Sequence, residues 1–424
     1  MLTYTIRTVW TRRRSYAPTA VVLFSGLVLV LAFVSLLASS GSASNPDDEQ
    51  FLLLFPVILG SWILAISLFA ISSTVSVATL ARAEEFDTLR RLGATEPQLR
   101  LLVALETAVL GIVVAVPAVA VGIGLGSVIF HRLRTIGIVD SATGYAPGIL
   151  AAALAATAIV VLGGVAAQFG SRSENSHRGD VKRRRVIAAL VTVLGIASST
   201  AAFAVEPTGA GATATAGPGT VFVSIGLALL AREILGGFCR VAAFLFQKLG
   251  VSGYLAAINA VSAQGARPTT MFFTLLVGVC VGTLTMQNIE NASAGAGPEG
   301  QLMASINYSV VGLVASFMAI ALINNLIASI SRRRSEFGTM VRIGATARQT
   351  VRMLTLESVL AVVAAGTTGT IGAVLAVAPY AYVKGGSPTD ALSVPVVVLV
   401  LAAGTLLTIA ATAAAGRRTV AAAV

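Results

Sequence analysis

Charge is scarce in this chain. Asp, Glu, Lys and Arg supply 11% of 424 residues, against 56% hydrophobic side chains. A chain so poor in charge and so rich in apolar residues reads as a polytopic helical membrane protein rather than a soluble domain. Cysteine is nearly missing as well: Cys239 and Cys280 both fall in or beside apolar stretches, which excludes a disulfide framework and a CxxC metal site. The two histidines, His131 and His177, lie in loops assigned to opposite sides of the membrane, so no Ser-His-Asp set can assemble. There is also no glycine-rich phosphate loop ending in Lys-Ser or Lys-Thr, and no His-Glu-x-x-His. The chain is therefore expected to bind no cofactor or metal, and an intramembrane enzyme is the weakest of the functional classes.

What is present is length in apolar runs. A bilayer span needs roughly 20 apolar residues, and ten such windows can be marked: 20–38, 51–80, 101–130, 145–169, 186–205, 220–246, 270–287, 303–330, 353–383 and 392–415. The basic residues gather in the N-terminus, the loops after even-numbered windows and the C-terminus. The exceptions are Arg132, Arg134 and Lys384, in loops assigned outside, and Arg232 and Arg240, in or beside the sixth window. The positive-inside rule then places both termini in the cytoplasm. A net charge of +11 is met by anionic inner-leaflet lipid and calls for no nucleic acid. Arg12-Arg13-Arg14, the apolar run and Gly41-Ser42-Ala43-Ser44 imitate a secretory signal, but the run is long, and it is read here as a retained first span. The longest outer linkers, 207–219 and 290–300, leave no room for a folded extracellular domain, and 171–185 reads as a basic inner loop. Low aromatic content, 6%, with Ala and Gly richness points to a bacterium of high GC content.

The strongest signal is a segment that occurs twice, 251 residues apart. Glu85-Phe86-Asp87-Thr88-Leu89-Arg90-Arg91-Leu92-Gly93-Ala94-Thr95 returns as Glu336-Phe337-Gly338-Thr339-Met340-Val341-Arg342-Ile343-Gly344-Ala345-Thr346. Gln98 and Leu105-Glu106 follow the first copy at the spacing at which Gln349 and Leu356-Glu357 follow the second. The chain divides accordingly into 1–180, a bridge 181–250, and 251–424. Each half carries four spans. The bridge carries two, an even number, so the halves enter the membrane with one orientation and form a parallel repeat.

Within each copy, Phe86, Leu89 and Leu92, or Phe337, Met340 and Ile343, recur every three residues and line one side of a short helix. Gly93 and Gly344 fall where a helix ends in a left-handed residue, and Thr95-x-x-Gln98 and Thr346-x-x-Gln349 have capping-box spacing. The segment reads as a short helix, a glycine corner and a capped helix rising into the bilayer. It would present an apolar ridge to the cytoplasm and act as a lever for something outside the membrane. The bland alternative, an amphipathic loop helix on lipid headgroups, is weakened by the second copy. Glu106 and Glu357, expected about one turn inside the rising helices, need a partner, for which Arg91, Arg100, Arg342 and Arg352 are candidates. An ion pair fixing the elbow is preferred over a proton or substrate site. Glycines 122, 126, 366, 369 and 372 would allow close helix contact, and Pro117 and Pro379 would kink their helices. Asn324 and Asn325, in the eighth window, are candidates for interhelical hydrogen bonds or a substrate seam.

The duplicated segment resembles the FtsX-like permease domain of ATP-binding-cassette (ABC) transporters, and the ten-span plan is similar to permeases of the bacitracin-exporter type. The resemblance implies an all-α polytopic fold: ten transmembrane helices, as two parallel four-helix FtsX-like repeats joined by a two-helix bridge. It implies that Glu85, Phe86, Leu89, Arg91, Gly93, Ala94 and Thr95, with Glu336, Phe337, Met340, Arg342, Gly344, Ala345 and Thr346, form coupling helices. These would dock into two copies of a separately encoded ATPase that holds ATP and Mg. With no soluble vestibule outside and no feature for docking a periplasmic binding protein, the expected role is export, across a bacterial plasma membrane, of a lipophilic or amphipathic substrate such as a drug, antimicrobial peptide or lipid, with a sensor kinase as a further candidate partner. Such permeases carry a large extracellular domain between spans seven and eight, where this chain has only the turn 290–300. Two rival readings stand beside this one: an FtsX-like transmitter of ATPase motion to an extracellular hydrolase or sensor, and an ion-driven secondary transporter. The latter calls for carboxylates at the bilayer midplane, whereas the acids here cluster at the ends of spans.

Overall fold

A computed structural model describes residues 13–80, 82–170, 178–205, 211–248, 250–261, 266–293 and 298–422. All regular structure among them is helical. In chain order the helices are α1 (Arg13–Ala38), α2 (Pro46–Leu80), α3 (Ala83–Arg91), α4 (Glu96–Thr135), α5 (Ile149–Gly170), α6 (Arg178–Thr200) and α7 (Gly211–Leu229). They continue as α8 (Ala231–Gln247), α9 (Val251–Val261), α10 (Arg267–Ser293), α11 (Pro298–Arg332), α12 (Arg334–Arg342), α13 (Ala347–Val383) and α14 (Val394–Ala421). Nine helices of the described residues are long and apolar enough to cross a membrane. The expected fourth span falls on α5, whose apolar stretch Ile149–Val161 is shorter. Helix is the outcome hydrocarbon demands of such sequences, because a backbone without water must satisfy every N–H and C=O within itself.

Two compact units form. One comprises Met1–Ser176 with Gln301–Phe317, the other His177–Gly300 with Met318–Val424. In the first, α1 packs against α2, α4 and α5, and α5 closes against α2 and α4. Close approach follows from small residues: a Cβ at Gly122 would lie 2.7 Å from Leu31 Cβ, and one at Gly126 2.9 Å from the Ala32 carbonyl oxygen. The far end of this unit is tied by buried Asp48, which accepts from the Asp140 amide (3.0 Å) and the Thr143 hydroxyl.

In the second unit α13 is central, touching α7, α8, α9, α10 and α14. The bridge helices α6 and α7 lie within this unit and pack closely on each other. A Cβ at Gly226 of α7 would sit 2.8 Å from the Thr192 backbone nitrogen of α6, so the two backbones touch where glycine recurs. At one end of the unit Glu290 accepts from the Tyr380 hydroxyl and from Lys384 Nζ (3.0 Å). The opposite end gathers the start of α6, helices α8, α9 and α12, and the end of α14.

One expected span is corrected. The window 220–246 is two helices: α7 stops at Leu229, Leu230 forms a turn, and α8 begins at Ala231. Arg232, Glu233 and Arg240 belong to α8, and three charges so spaced do not sit at bilayer depth without cost. The span is completed from the other side, because Gly211 to Gly219, read from sequence as part of an outer turn, is helical. Pro117 and Pro379 lie inside continuous helices.

Candidate functional site

The repeated segments build two elbows of one design. Each short helix, α3 or α12, ends at a glycine with left-handed backbone, φ +95° at Gly93 and +98° at Gly344. The Ala94 amide donates to the Leu89 carbonyl (2.9 Å) and the Gly93 amide to that of Arg90 (3.0 Å); Ala345 to Met340 and Gly344 to Val341 repeat this at 2.9 and 3.0 Å. This is a Schellman closure, which satisfies the last carbonyls of a helix while turning the chain. The next helix starts at once. The Thr95 amide donates to Gln98 Oε1 (2.9 Å), and the Thr346 amide to Gln349 Oε1 (2.8 Å) while the Gln349 amide returns a bond to Thr346 Oγ1 (3.2 Å). A corner so defined has few alternative conformations.

The rising helices are longer than a membrane is thick. With 40 residues in α4 and 37 in α13, they measure roughly 60 and 55 Å at 1.5 Å per residue, against a hydrocarbon core of about 30 Å. The elbows therefore stand at the ends of stalks. Glu106 and Glu357 lie ten residues beyond Glu96 and Ala347, nearly three turns up the stalk, rather than at its first turn.

Each elbow is rooted on one arginine. Arg82 Nη1 donates to Glu106 Oε2 (2.6 Å) and to the Tyr16 hydroxyl (2.7 Å), while its Nε donates to Glu85 Oε2 (2.8 Å). Arg333 Nη1 donates to both oxygens of Glu357 (3.0 and 2.8 Å), and its Nε and Nη2 to Glu336 (2.8 and 2.9 Å). The guanidinium carbons stand 5.2 Å from the Phe86 ring centre and 5.4 Å from that of Phe337, within cation–π range. Burial works against each arginine's charge. At Arg82 the hydrogen bond and charge of Glu106, then Glu85, outweigh it; at Arg333 the bond from Glu336 and the charge of Glu357 do so. Both pKa values end above the ordinary value, and both roots stay cationic.

The carboxylate partners thus differ from those expected. Glu106 pairs with Arg82 and Glu357 with Arg333, whereas Arg91 and Arg342 are exposed on their short helices. Arg82 and Arg333 were not singled out in the sequence, although they too stand 251 apart, three residues before Glu85 and Glu336. Extending the repeat by one helical turn toward the N-terminus would have found them.

The apolar ridge is also redistributed. Phe86 and Phe337 point inward and are buried, Phe337 against Ala256, Leu326, Ile330 and Met353, and Leu89 and Met340 are half-buried. Leu92 and Ile343 do the opposite, with 79% and 80% of their surface exposed at the corner. The aromatic is the root, and the aliphatic residue is the tip. Around each tip Arg91, Gly93 and Thr95, or Arg342, Gly344 and Thr346, are exposed, with Ala94 and Ala345 half-buried. The first corner has an addition: Arg90 pairs with Asp87 and Glu96 (2.7 Å each), positions held by Gly338 and Ala347 in the second.

Asn324 is half-buried in α11, and Asn325 is buried with Nδ2 donating to the Ala321 carbonyl of its own helix (3.0 Å). Among the described residues no cluster of His, Cys, Asp and Glu could hold a metal ion.

A family model described as FtsX-like permease C-terminal matches the chain twice, over residues 57–176 and 308–423, more than half its length. The chain belongs to this family. The two matched stretches begin 251 residues apart, and each contains one elbow, so the permease carries the family domain in duplicate. FtsX-like permeases are generally the membrane subunits of ABC transporters, partner with ABC ATPases, and are typically not themselves catalytic. A search of curated proteins finds no match.

Proposed function

We propose that this permease exports or extracts a lipophilic or amphipathic substrate, and that α3 and α12 are the two handles on which two copies of a separately encoded ATPase act. ATP and Mg belong to that partner. Its closure on ATP moves both elbows, and each stalk carries the motion into the bilayer. One observation carries the reading: both copies of the repeat end in the same glycine corner, each with an aliphatic tip about four-fifths exposed and a root clamped by an arginine–glutamate ion pair. An apolar tip on a stiff support is what docking in a protein groove requires, and it is a poor arrangement for a merely solvated loop.

The substrate class follows from the outer side. Four residues, 294–297, separate α10 from α11, so the chain places no domain there to select a bulky soluble target, and cargo already dissolved in lipid is favoured. In the second unit the described basic residues crowd the elbow end, with Lys384 alone at the other. This supports cytoplasmic elbows and termini in a bacterial plasma membrane.

The test is co-purification of the permease with its ATPase in lipid nanodiscs, comparing wild type with L92D, I343D and the double variant. The tips touch nothing that holds the elbow together, so folding is kept. Two ATPases bind the wild type, one binds each single variant, and none binds the double variant. Two ATPases on the double variant, with unchanged ATP turnover, would refute the assignment.

A further inference from the structure

Helix α8 presents a face that neither the elbows nor the spans account for. Its buried side carries Ala231, Leu235, Cys239 and Ala242, the last three packed with Ala260 of α9 and with Leu360 and Ala364 of α13. The opposite arc carries Val241, Phe244 and Leu245, which are 81%, 65% and 63% exposed, flanked by exposed Arg240 and Lys248. Lys248 Nζ sits 4.4 Å from the Phe244 ring centre. The helix leaves a membrane span at Leu230 and is charged at Arg232, Glu233 and Arg240. At 17 residues it is roughly 25 Å long, so it is no span itself. Glu233, the one acid of the helix, is already taken by Arg184 (2.9 Å) and Arg185 (3.0 Å) at the start of α6. What remains outward is apolar and positive, beside exposed Lys182 and Arg183.

We infer that α8 lies in the plane of the membrane interface and binds anionic phospholipid, with Val241, Phe244 and Leu245 among the upper acyl chains and Arg240 and Lys248 on the headgroup phosphates. An apolar arc bounded by basic residues is the pattern of an interfacial helix, and the positive flank selects acidic lipid. The inference stands apart from the ATPase reading, because it concerns lipid contact alone. It bears on the elbow nonetheless. Helix α9 follows α8 directly and touches the root of α12 through Ala256, which packs with Phe337, and Asn259, whose Nδ2 lies 3.5 Å from Glu336 Oε1. Lipid held by α8 thus borders the brace of the second handle.

The experiment uses the full chain in nanodiscs containing brominated phosphatidylglycerol or brominated phosphatidylcholine at equal mole fraction. Tryptophan is placed by F244W or, should that variant fail to fold, by V241W on the same face. L190W, exposed on α6, reports ordinary lipid contact, and the parent chain gives the background of its own tryptophans. Both lipids quench the α8 probe, phosphatidylglycerol the more strongly, while L190W is quenched equally by the two. R240Q and K248Q each lower the phosphatidylglycerol preference about fivefold, the Boltzmann factor of ~1 kcal/mol per basic side chain at the surface. In 1 M salt, where the Debye length is about 3 Å, the preference disappears and the basal quenching stays. An α8 probe quenched by neither lipid, as when protein covers the face, overturns the inference. Equal quenching by both lipids overturns the anionic selectivity.

Discussion

Replacing Arg333 by glutamine is the sharpest test of how the elbows are rooted. Arg333 and Glu357 are each almost fully buried, and the carboxylate receives both of its hydrogen bonds from this one guanidinium. Removing the cation leaves a buried carboxylate with a neutral amide in place of its charge partner. Breaking a buried pair from one side costs about 3–5 kcal/mol. At 1.4 kcal/mol per factor of ten, local opening of α12 rises by roughly two to three and a half orders of magnitude. Hydrogen–deuterium exchange of the peptide covering α12, with the protein in nanodiscs, reads this directly. The double variant R333Q/E357Q removes both charges and should recover most of the protection, because the penalty lies in the stranded charge rather than in the lost attraction. Arg82→Gln should cost less, about 1.5–3 kcal/mol for hydrogen bonds to a charged group, since Arg82 is more exposed and Glu106 receives only one of its bonds. An R333Q protein with normal α12 exchange, or one no worse than the double variant, would refute the reasoning.

The corners and the bridge give two more predictions. Valine at Gly93 or Gly344 should destabilise its corner by about 1–3 kcal/mol through backbone strain alone, since a Cβ at either position meets nothing within 4 Å. Alanine in place of Gly338, a position without positive φ, is the control, and equal exchange of α12 in G344V and G338A would show that the left-handed turn is not required. At the α6–α8 contact, Glu233 is pulled below the ordinary carboxylate range, because the Arg185 hydrogen bond and Arg184 charge outweigh its burial. A depressed pKa means stability that is complete above the unfolded value and lost as pH falls through the folded one. Lowering pH from about 5, just above the unfolded glutamate value, to about 2 should therefore loosen α8 by at most ~1 kcal/mol for a partly exposed pair, with E233Q insensitive over the same window, as measured by exchange of α8.

Much of this was legible because duplication amplifies weak local signals. The glycine corner, the threonine–glutamine cap and the two carboxylates each recur at one spacing, and the backbone follows them. The misreadings share a physical cause. A hydropathy window counts residues and ignores where charges sit, so it joined α7 to α8 across Leu230 and left Gly211 to Gly219 outside, although small residues are what α7 needs to lie against α6. The period of three in Phe86, Leu89 and Leu92 correctly indicates a short helix. It does not tell that the helix ends at Leu92, so that the last of the three turns outward while the first turns in. Arg82 and Arg333 were passed over because arginine beside an inner loop is ordinarily solvated, and burial of that side chain depends on a glutamate more than twenty residues further on.

The Arg–Glu root also bears on why the elbow is built with charge at all. A hydrophobic plug of similar volume in place of Arg333 and Glu357 could hold α12 against α13 at equal or greater stability, but without directional bonds. The guanidinium fixes direction: one edge is committed to the stalk at Glu357, and the other to the short helix at Glu336, with Phe337 beneath. In the proposed role as a handle for the ATPase, an elbow that delivers displacement along one axis gains from such directional bonds. On this argument a doubly substituted R333M/E357M elbow should be as stable as wild type in exchange yet transmit less of the ATPase stroke to transport. Stability and transport preserved together would show that packing suffices and that the charges have another purpose.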